Sequence, residues 1–115
     1  MWLIVILFVL AALMGATLAV RPLRGTLPPV VAAVAHGLLA GSAVVLLLIA
    51  VLAQGAAGPW AWALGVFVVT ALGGLSLALG FHARKKSLPK AFVAGHALLA
   101  AIGLVLLLAA ALRVL

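Results

Sequence analysis

Acidic side chains are missing from the sequence, which holds no aspartate and no glutamate among its 115 residues. Their absence excludes carboxylate proton relays, oxygen cages for Ca²⁺ or Mg²⁺, and hydrolysis by paired carboxylates. Cysteine is absent as well, which excludes disulfides, thiolate zinc sites and cysteine-ligated iron–sulfur clusters. No pairing of a nucleophile with a base is evident, so we expect no enzymatic chemistry without a cofactor.

Charged side chains of either sign are scarce: they make up 6% of the chain, against about 25% in a typical soluble domain. Hydrophobic residues make up 70% and fall into four runs, at residues 2–20, 29–53, 59–81 and 89–112. Each run is near the ~20 residues that a helix needs to cross the hydrocarbon core of a bilayer. The sequence therefore predicts an all-α fold, an integral membrane four-helix bundle in which residues 1–115 form a single transmembrane domain.

The seven lysines and arginines give the chain a formal charge of +7, and six of them lie in two turns, at residues 21–28 and 82–90. The turn between the second and third runs, residues 54–58, carries no charge. By the positive-inside rule, both basic turns are expected in the cytoplasm and both termini outside, in a bacterial inner membrane. Cations beside helix ends are typical of contacts with lipid phosphates, so we expect the lipid bilayer as a partner and no nucleic acid.

The second and fourth runs repeat one another. Without gaps, residues 29–53 and 89–113 share 11 of 25 positions, including a proline at the start and a histidine seven positions later. The chain therefore divides into two halves, residues 1–54 and 59–115, each predicted to be a helical hairpin. Because two spans separate equivalent helices, the halves are expected to be parallel repeats related by an axis along the membrane normal.

The first run has an alternative reading as a signal peptide. Residues 15–19 resemble a cleavage site, although no cation precedes the run as one would in a signal peptide. The repeat favours a retained spanning helix, because the second half has an equivalent helix in the same place.

The histidines of the repeat, His36 and His96, are the candidate metal ligands. Each lies seven residues beyond a proline that begins a predicted helix, so at 1.5 Å per residue both reach a depth of about 10 Å from the basic turns. Ionisable groups inside a membrane are costly and by default suggest function. Glycines on the neighbouring helices, Gly15, Gly73 and Gly74, are expected near the same depth, where they would leave room for a flat macrocycle.

This arrangement resembles the small b-type cytochromes of membranes, which are four-helix bundles with histidine pairs on facing helices. The resemblance implies one haem b ligated by His36 and His96, with cations such as Arg24 and Arg84 near the propionates. It also implies electron transfer, by this protein alone or as the haem-binding subunit of a membrane redox complex. Those families commonly carry two haems at two depths, whereas this sequence has a single facing pair.

Other functions remain open at this point. The histidines could form hydrogen bonds between helices, and the glycines could serve packing alone, as in an accessory subunit of a larger complex or in a homo-oligomer. The length and the four spans also resemble the small multidrug-resistance exporters, but the intramembrane glutamate of those proteins is absent here. A transporter would then have to use the histidines, either as a path for protons or to move an anion or a neutral substrate.

Four further polar side chains have expected roles. Thr17, Thr70 and Ser76 are expected to bond to carbonyls of their own helices, although one of them could instead orient an imidazole. His82 is expected to be an interfacial residue, with contact to a haem propionate or a lipid phosphate as the alternative.

Overall fold

The computed structural model of the chain describes residues 1–114. Four long helices run through it: α1 (Trp2–Leu23), α2 (Val30–Leu52), α3 (Pro59–Leu77) and α4 (Lys90–Ala111). The described residues include no strand, so the predicted all-α class is confirmed. All four helices, α3 together with its continuation, are long and apolar enough to cross a membrane, as the hydropathy pattern predicts.

Prolines mark where three of the helices begin. Pro29 and Pro89 directly precede α2 and α4, and Pro59 is the first residue of α3. Proline suits a helix start because the N–H group that it lacks would have no partner there and its fixed φ matches the helix. The repeated proline therefore sets the same starting depth for the two helices that carry His36 and His96.

The helices pack in a ring that follows the order of the chain. α1 contacts α2 and α3 contacts α4, while the two hairpins meet through α1 with α4 and through α2 with α3. Each helix packs more extensively on its partner within the hairpin than on its neighbour from the other hairpin. α2 and α4, the two helices with histidines, therefore lie diagonally across the ring.

The molecule is elongated, at 41 × 22 × 19 Å. The loops at residues 24–29 and 83–89 form one end, called here the basic end because six of the seven lysines and arginines lie in or beside it. The opposite end, called the tryptophan end, holds the start of α1, the loop from α2 to α3 and the end of α4. The three tryptophans and the seventh cation, Arg113, lie there.

The fully packed core occupies the half of the bundle nearest the tryptophan end. At its centre the rings of Phe8 and Phe67 stack with centroids 3.8 Å apart and an interplanar angle of 12°. The Phe67 ring rests on Gly103 of α4, where an added Cβ would lie 2.9 Å from ring atoms. Glycine at this position therefore admits an aromatic pair that bridges the diagonal between α1 and α3. The other buried members of the cluster are Ile4, Val5, Ala43, Leu47, Ala50, Ala63 and Leu107.

α3 continues into a π-helical segment, Ala78–His82. Such segments are usually single wide turns within an α-helix. Gly15 and Gly74, which face equivalent histidines, are 59 positions apart. His36 and His96 are 60 apart, so the second half has one additional residue between its glycine and its histidine. The wide turn accommodates that residue, and the glycine keeps its place opposite the histidine.

His82, the last residue of that segment, ties the two hairpins together at the basic end. Its Nε2 atom lies 2.8 Å from the backbone oxygen of Pro28, in the loop between α1 and α2. Because a carbonyl oxygen can only accept, Nε2 donates the proton of this bond. The partner of His82 within the chain is thus a backbone carbonyl, which the sequence did not indicate.

We expect His82→Ala to lower the free energy of unfolding by about 1 kcal/mol, because a partly buried hydrogen bond between the loops is lost. The measurement is reversible unfolding of the purified protein in detergent. Lys86→Ala is the matched control in the same loop, since the Lys86 side chain is exposed, and its effect should stay within about 0.5 kcal/mol. An equal loss in both variants would contradict the role of the His82 bond.

Candidate histidine site

The imidazole of His36 lies against α1, in the space that a glycine of that helix leaves free. Its Nδ1 atom is 3.0 Å from the backbone oxygen of Ala11. A Cβ added to Gly15 would stand 2.9 Å from Cε1 of the ring, closer than such atoms approach in proteins. The ring therefore occupies the space that any side chain at position 15 would need.

His96 makes the same contact with α3 in the second hairpin. Its Nδ1 atom is 3.0 Å from the backbone oxygen of Thr70, and a Cβ on Gly74 would lie 2.9 Å from its Cε1 atom. Gly73 is farther away, since a Cβ there would be 3.8 Å from Nδ1 and in ordinary contact. The two hairpins thus hold their histidines in equivalent ways.

The two contacts have one physical origin. In an α-helix, the carbonyl oxygens of Ala11 and Thr70 accept bonds from the N–H groups of residues four positions later, which here are glycines. Each oxygen keeps a second lone pair. Because glycine has no side chain, a histidine of the neighbouring helix can reach that oxygen. We use the term histidine clamp for each histidine together with the carbonyl and the glycine that hold it.

Each clamp fixes which ring nitrogen carries the proton. A carbonyl oxygen only accepts, so Nδ1 of His36 and Nδ1 of His96 must donate. In a neutral imidazole, Nε2 is then left with a lone pair, the form in which histidine binds metals. Within residues 1–114 neither Nε2 atom has a hydrogen-bond partner, and neither is sealed off as a buried atom without one.

Both histidines line one interior cavity of about 70 Å³. Its volume allows a few water molecules and falls well below the roughly 300–1,000 Å³ of typical small-molecule sites. All four helices contribute to its wall, which is mainly apolar apart from the two imidazoles and one threonine. The full lining is Phe8, Ala11, Ala12, His36, Ala40, Val44, Phe67, Thr70, Ala71, His96, Ala100 and Leu104.

The clamps lie within the hairpins, whereas the cavity lies between them. His36 of α2 is held by α1, and His96 of α4 is held by α3. Small residues such as Ala40 and Ala100 face the cavity across the interface between the hairpins. A wider spacing of the hairpins would therefore enlarge the cavity and leave both clamps intact.

The structure places the other candidate site residues in two groups. Gly15 and Gly74 are parts of the clamps, and Gly73 lies beside the second one. Arg24 and Arg84 are exposed at the basic end, and neither lines the cavity. The clamp glycines thus contact the imidazoles directly. The two arginines could contact a ligand only at the end of the bundle.

The hydroxyl groups bond within their own helices, which confirms the expectation from sequence. Thr17 donates to the oxygen of Met14 at 2.7 Å, Thr70 to Val66 at 2.8 Å, and Ser76 to Leu72 at 2.9 Å. None of these three hydroxyls orients an imidazole. Backbone carbonyls do so instead, and the sequence analysis missed them; the signal for them was a glycine four positions after each acceptor.

Two nitrogen ligands are all that the described part of the chain brings together, because it holds no group of three or more side chains able to ligate a metal. A zinc site normally needs three or four protein ligands. Two axial histidines are sufficient for an iron whose remaining positions are filled by a porphyrin. The donor set therefore suits haem iron better than a bare ion.

No family model matches the chain, and no curated protein or solved structure matches it either. The chemistry of the site therefore rests on the residues and distances given above.

Proposed function

We propose that the protein is an integral membrane four-helix bundle of two parallel-repeat hairpins that binds one b-type haem between His36 and His96. One observation carries the proposal: both histidines bond through Nδ1 to a carbonyl, have no partner for Nε2 among residues 1–114, and line one cavity. Histidines that ligate metals almost always donate their other ring N–H in this way, which fixes the tautomer and the ring orientation.

The residues fit a haem in their chemistry, while the cavity is too small for it. Two neutral imidazoles, an apolar wall and nearby cations are what a bis-histidine haem requires. A volume of about 70 Å³ does not hold a macrocycle. Binding therefore requires the hairpins to separate around the cavity, with each clamp moving as a unit.

When bound, a haem supplies one-electron transfer, and the chain supplies ligation and surroundings of low polarity. His36 and His96 would hold the iron. Arg24 and Arg84, at the basic end, would neutralise the propionates. The positive-inside rule supports a cytoplasmic position for that end, and the function proposed is electron transfer, by this protein alone or within a larger redox complex.

A second function is favoured by the size of the cavity. The cavity has space for a few waters beside two imidazole nitrogens that have no partner in the described part of the chain. Such a site suits a path for protons or another small species across the inner part of the bundle. This alternative is a small transporter that uses the histidines directly. It requires the cavity to stay as narrow as it is, whereas haem binding requires it to widen.

The absorption spectrum distinguishes the two functions. Protein expressed with an adequate haem supply and purified in detergent is expected to show a sharp Soret shift and resolved α and β bands on reduction with dithionite. His36→Ala and His96→Ala should each abolish the bands, because each removes one of the two side chains that would hold the iron. His82→Ala is the matched control: it removes the third histidine, which lies outside the cavity, and the bands should persist.

A colourless protein that also takes up no added hemin would overturn the haem proposal. Proton uptake by proteoliposomes that depends on both cavity histidines would then favour the transporter. Absence of both activities would leave an accessory subunit that packs against a larger complex.

A further inference from the structure

A second and larger cavity lies at the tryptophan end, far from the histidines. It has a volume of about 480 Å³, and its wall includes Trp2, Pro59, Trp60, Ala110 and Arg113. These residues come from the start of α1, the start of α3 and the end of α4. The volume lies within the range of ordinary small-molecule sites, so this cavity is large enough for a ligand without any movement.

Arg113 brings to this cavity a charge that no other side chain can neutralise. The chain has no aspartate or glutamate, and the other six lysines and arginines lie at the basic end. A guanidinium is always protonated and presents paired donors that match a carboxylate or a phosphate. An anionic partner for Arg113 among side chains must therefore come from outside the chain.

The backbone holds Arg113 in an uncommon conformation. Its φ is +57°, in the left-handed region. The N–H of Arg113 bonds to the oxygen of Ala110 at 3.2 Å, and the N–H of Val114 bonds to Ala109 at 3.0 Å. This pair of bonds is the usual end of a helix with glycine at the left-handed position. An arginine there is a strained choice, and strained residues of this kind cluster at ligand sites.

Two helical segments finish at the basic end with the same left-handed backbone geometry as Arg113. α1 ends with Gly25 in the left-handed region at φ +81°, and the segment after α3 ends with Lys85 at φ +54°. The bonds around both residues follow the same pattern as those around Arg113. Lys85 therefore shares the strain of Arg113 but not its cavity, which makes it a matched control.

The geometry points to a binding site for an anionic amphiphile at the tryptophan end, a function separate from the proposed haem site. Its acidic headgroup, a carboxylate or a phosphate, binds the Arg113 guanidinium. Its apolar part lies against Trp2 and Trp60, whose rings provide large apolar faces. Tryptophan is enriched where membrane and water meet, so the cavity is at the depth where the headgroup of such a molecule is found.

The test is a titration of the purified protein in neutral detergent with three brominated amphiphiles, read by quenching of tryptophan fluorescence. Trp2 and Trp60 line this cavity, and Trp62 lies in the same first turn of α3 as Trp60. Phosphatidylglycerol presents a phosphate, a fatty acid presents a carboxylate, and phosphatidylcholine is the reference without net charge. We expect saturable quenching by one of the two anionic ligands, at least about tenfold tighter than by phosphatidylcholine, and the tighter one identifies the headgroup.

Arg113→Gly separates binding from folding. It removes the guanidinium while giving the left-handed position its preferred residue, so the protein should melt at the same or a higher temperature. Its affinity for the anionic ligand should fall to that for phosphatidylcholine, and Arg113→Lys should recover part of it. Lys85→Gly relieves the same strain at the basic end and should leave quenching unchanged.

Equal affinity of the wild-type protein for anionic ligands and phosphatidylcholine would overturn the site. So would unchanged anionic affinity in Arg113→Gly. Failure of haem binding would not bear on this result, because the two cavities share no lining residue.

Discussion

Replacing Gly15 or Gly74 with alanine is expected to weaken hemin binding by about 10–100-fold. The new Cβ would lie 2.9 Å from Cε1 of the clamped imidazole, so the ring must shift, which weakens its bond to the carbonyl. Loss of a group that orients a metal ligand typically has an effect of this size. The measurement is a hemin titration followed by absorbance. The stability of the unliganded protein should also fall, by about 1–3 kcal/mol.

The controls are alanine substitutions at the glycines next to the histidines. Gly37 adjoins His36 and Gly95 adjoins His96, both are exposed, and an added Cβ at either would meet nothing within 4 Å. Gly37→Ala and Gly95→Ala should bind hemin as the wild type does, and helix propensity should stabilise each by up to about 1 kcal/mol. If clamp and control glycines tolerate alanine equally well, the clamps do not hold the histidines.

Removing the ring of Phe67 is expected to have the largest effect on stability. Phe67 is buried, stacks on Phe8 and fills the space above Gly103. We expect Phe67→Ala to lower the free energy of unfolding by about 3 kcal/mol, because the contacts of the ring are lost and a cavity is left. In a membrane these packing contacts are a main source of attraction between helices. The measurement is equilibrium unfolding in detergent.

Val69→Ala provides the reference for this experiment. Val69 lies two positions along the same helix with 55% of its surface exposed, so it has few partners to lose. Its replacement should change the unfolding free energy by less than about 0.5 kcal/mol. A similar small effect of Phe67→Ala would mean that the aromatic pair does not organise the core.

The helices could be predicted from sequence because two strong signals coincide. Four apolar runs of membrane-spanning length are separated by turns with proline or cations, and the second run, predicted at residues 29–53, forms Val30–Leu52 in the structure. The prolines limit where α2, α3 and α4 can begin. With so few polar residues, no other arrangement of elements competes.

The π-helical segment after α3 could not be predicted in the same way. Ala78–His82 has the same apolar composition as the helix that it continues. Its cause is one additional residue between Gly74 and His96, which becomes visible only when the clamps of the two hairpins are compared. The ungapped repeat of residues 29–53 and 89–113 does not extend into α3, so it could not reveal this residue.

Sequence reasoning brought the two histidines together with the glycines that contact them, but it did not identify their bonds, and it included Arg24 and Arg84, which do not line the cavity. The repeat singled out His36 and His96, and their depth brought Gly15 and Gly74 into the same layer. The acceptors are main-chain carbonyls, which every residue possesses, so no residue type marks them. The spacing of the hairpins depends on side-chain packing between helices, and the cavity of about 70 Å³ is narrower than the slot expected from the glycines.

The most direct measurement is the ¹⁵N NMR spectrum of the three histidine side chains, recorded at a pH where they are neutral, before and after one equivalent of hemin. His36 and His96 should carry the proton on Nδ1, and His82, which donates through Nε2, should show the opposite tautomer. Hemin should shift the Nε2 resonances of His36 and His96 and leave His82 unchanged. A proton on Nε2 of either cavity histidine before hemin is added, or resonances that hemin does not alter, would contradict a haem held by the two clamps.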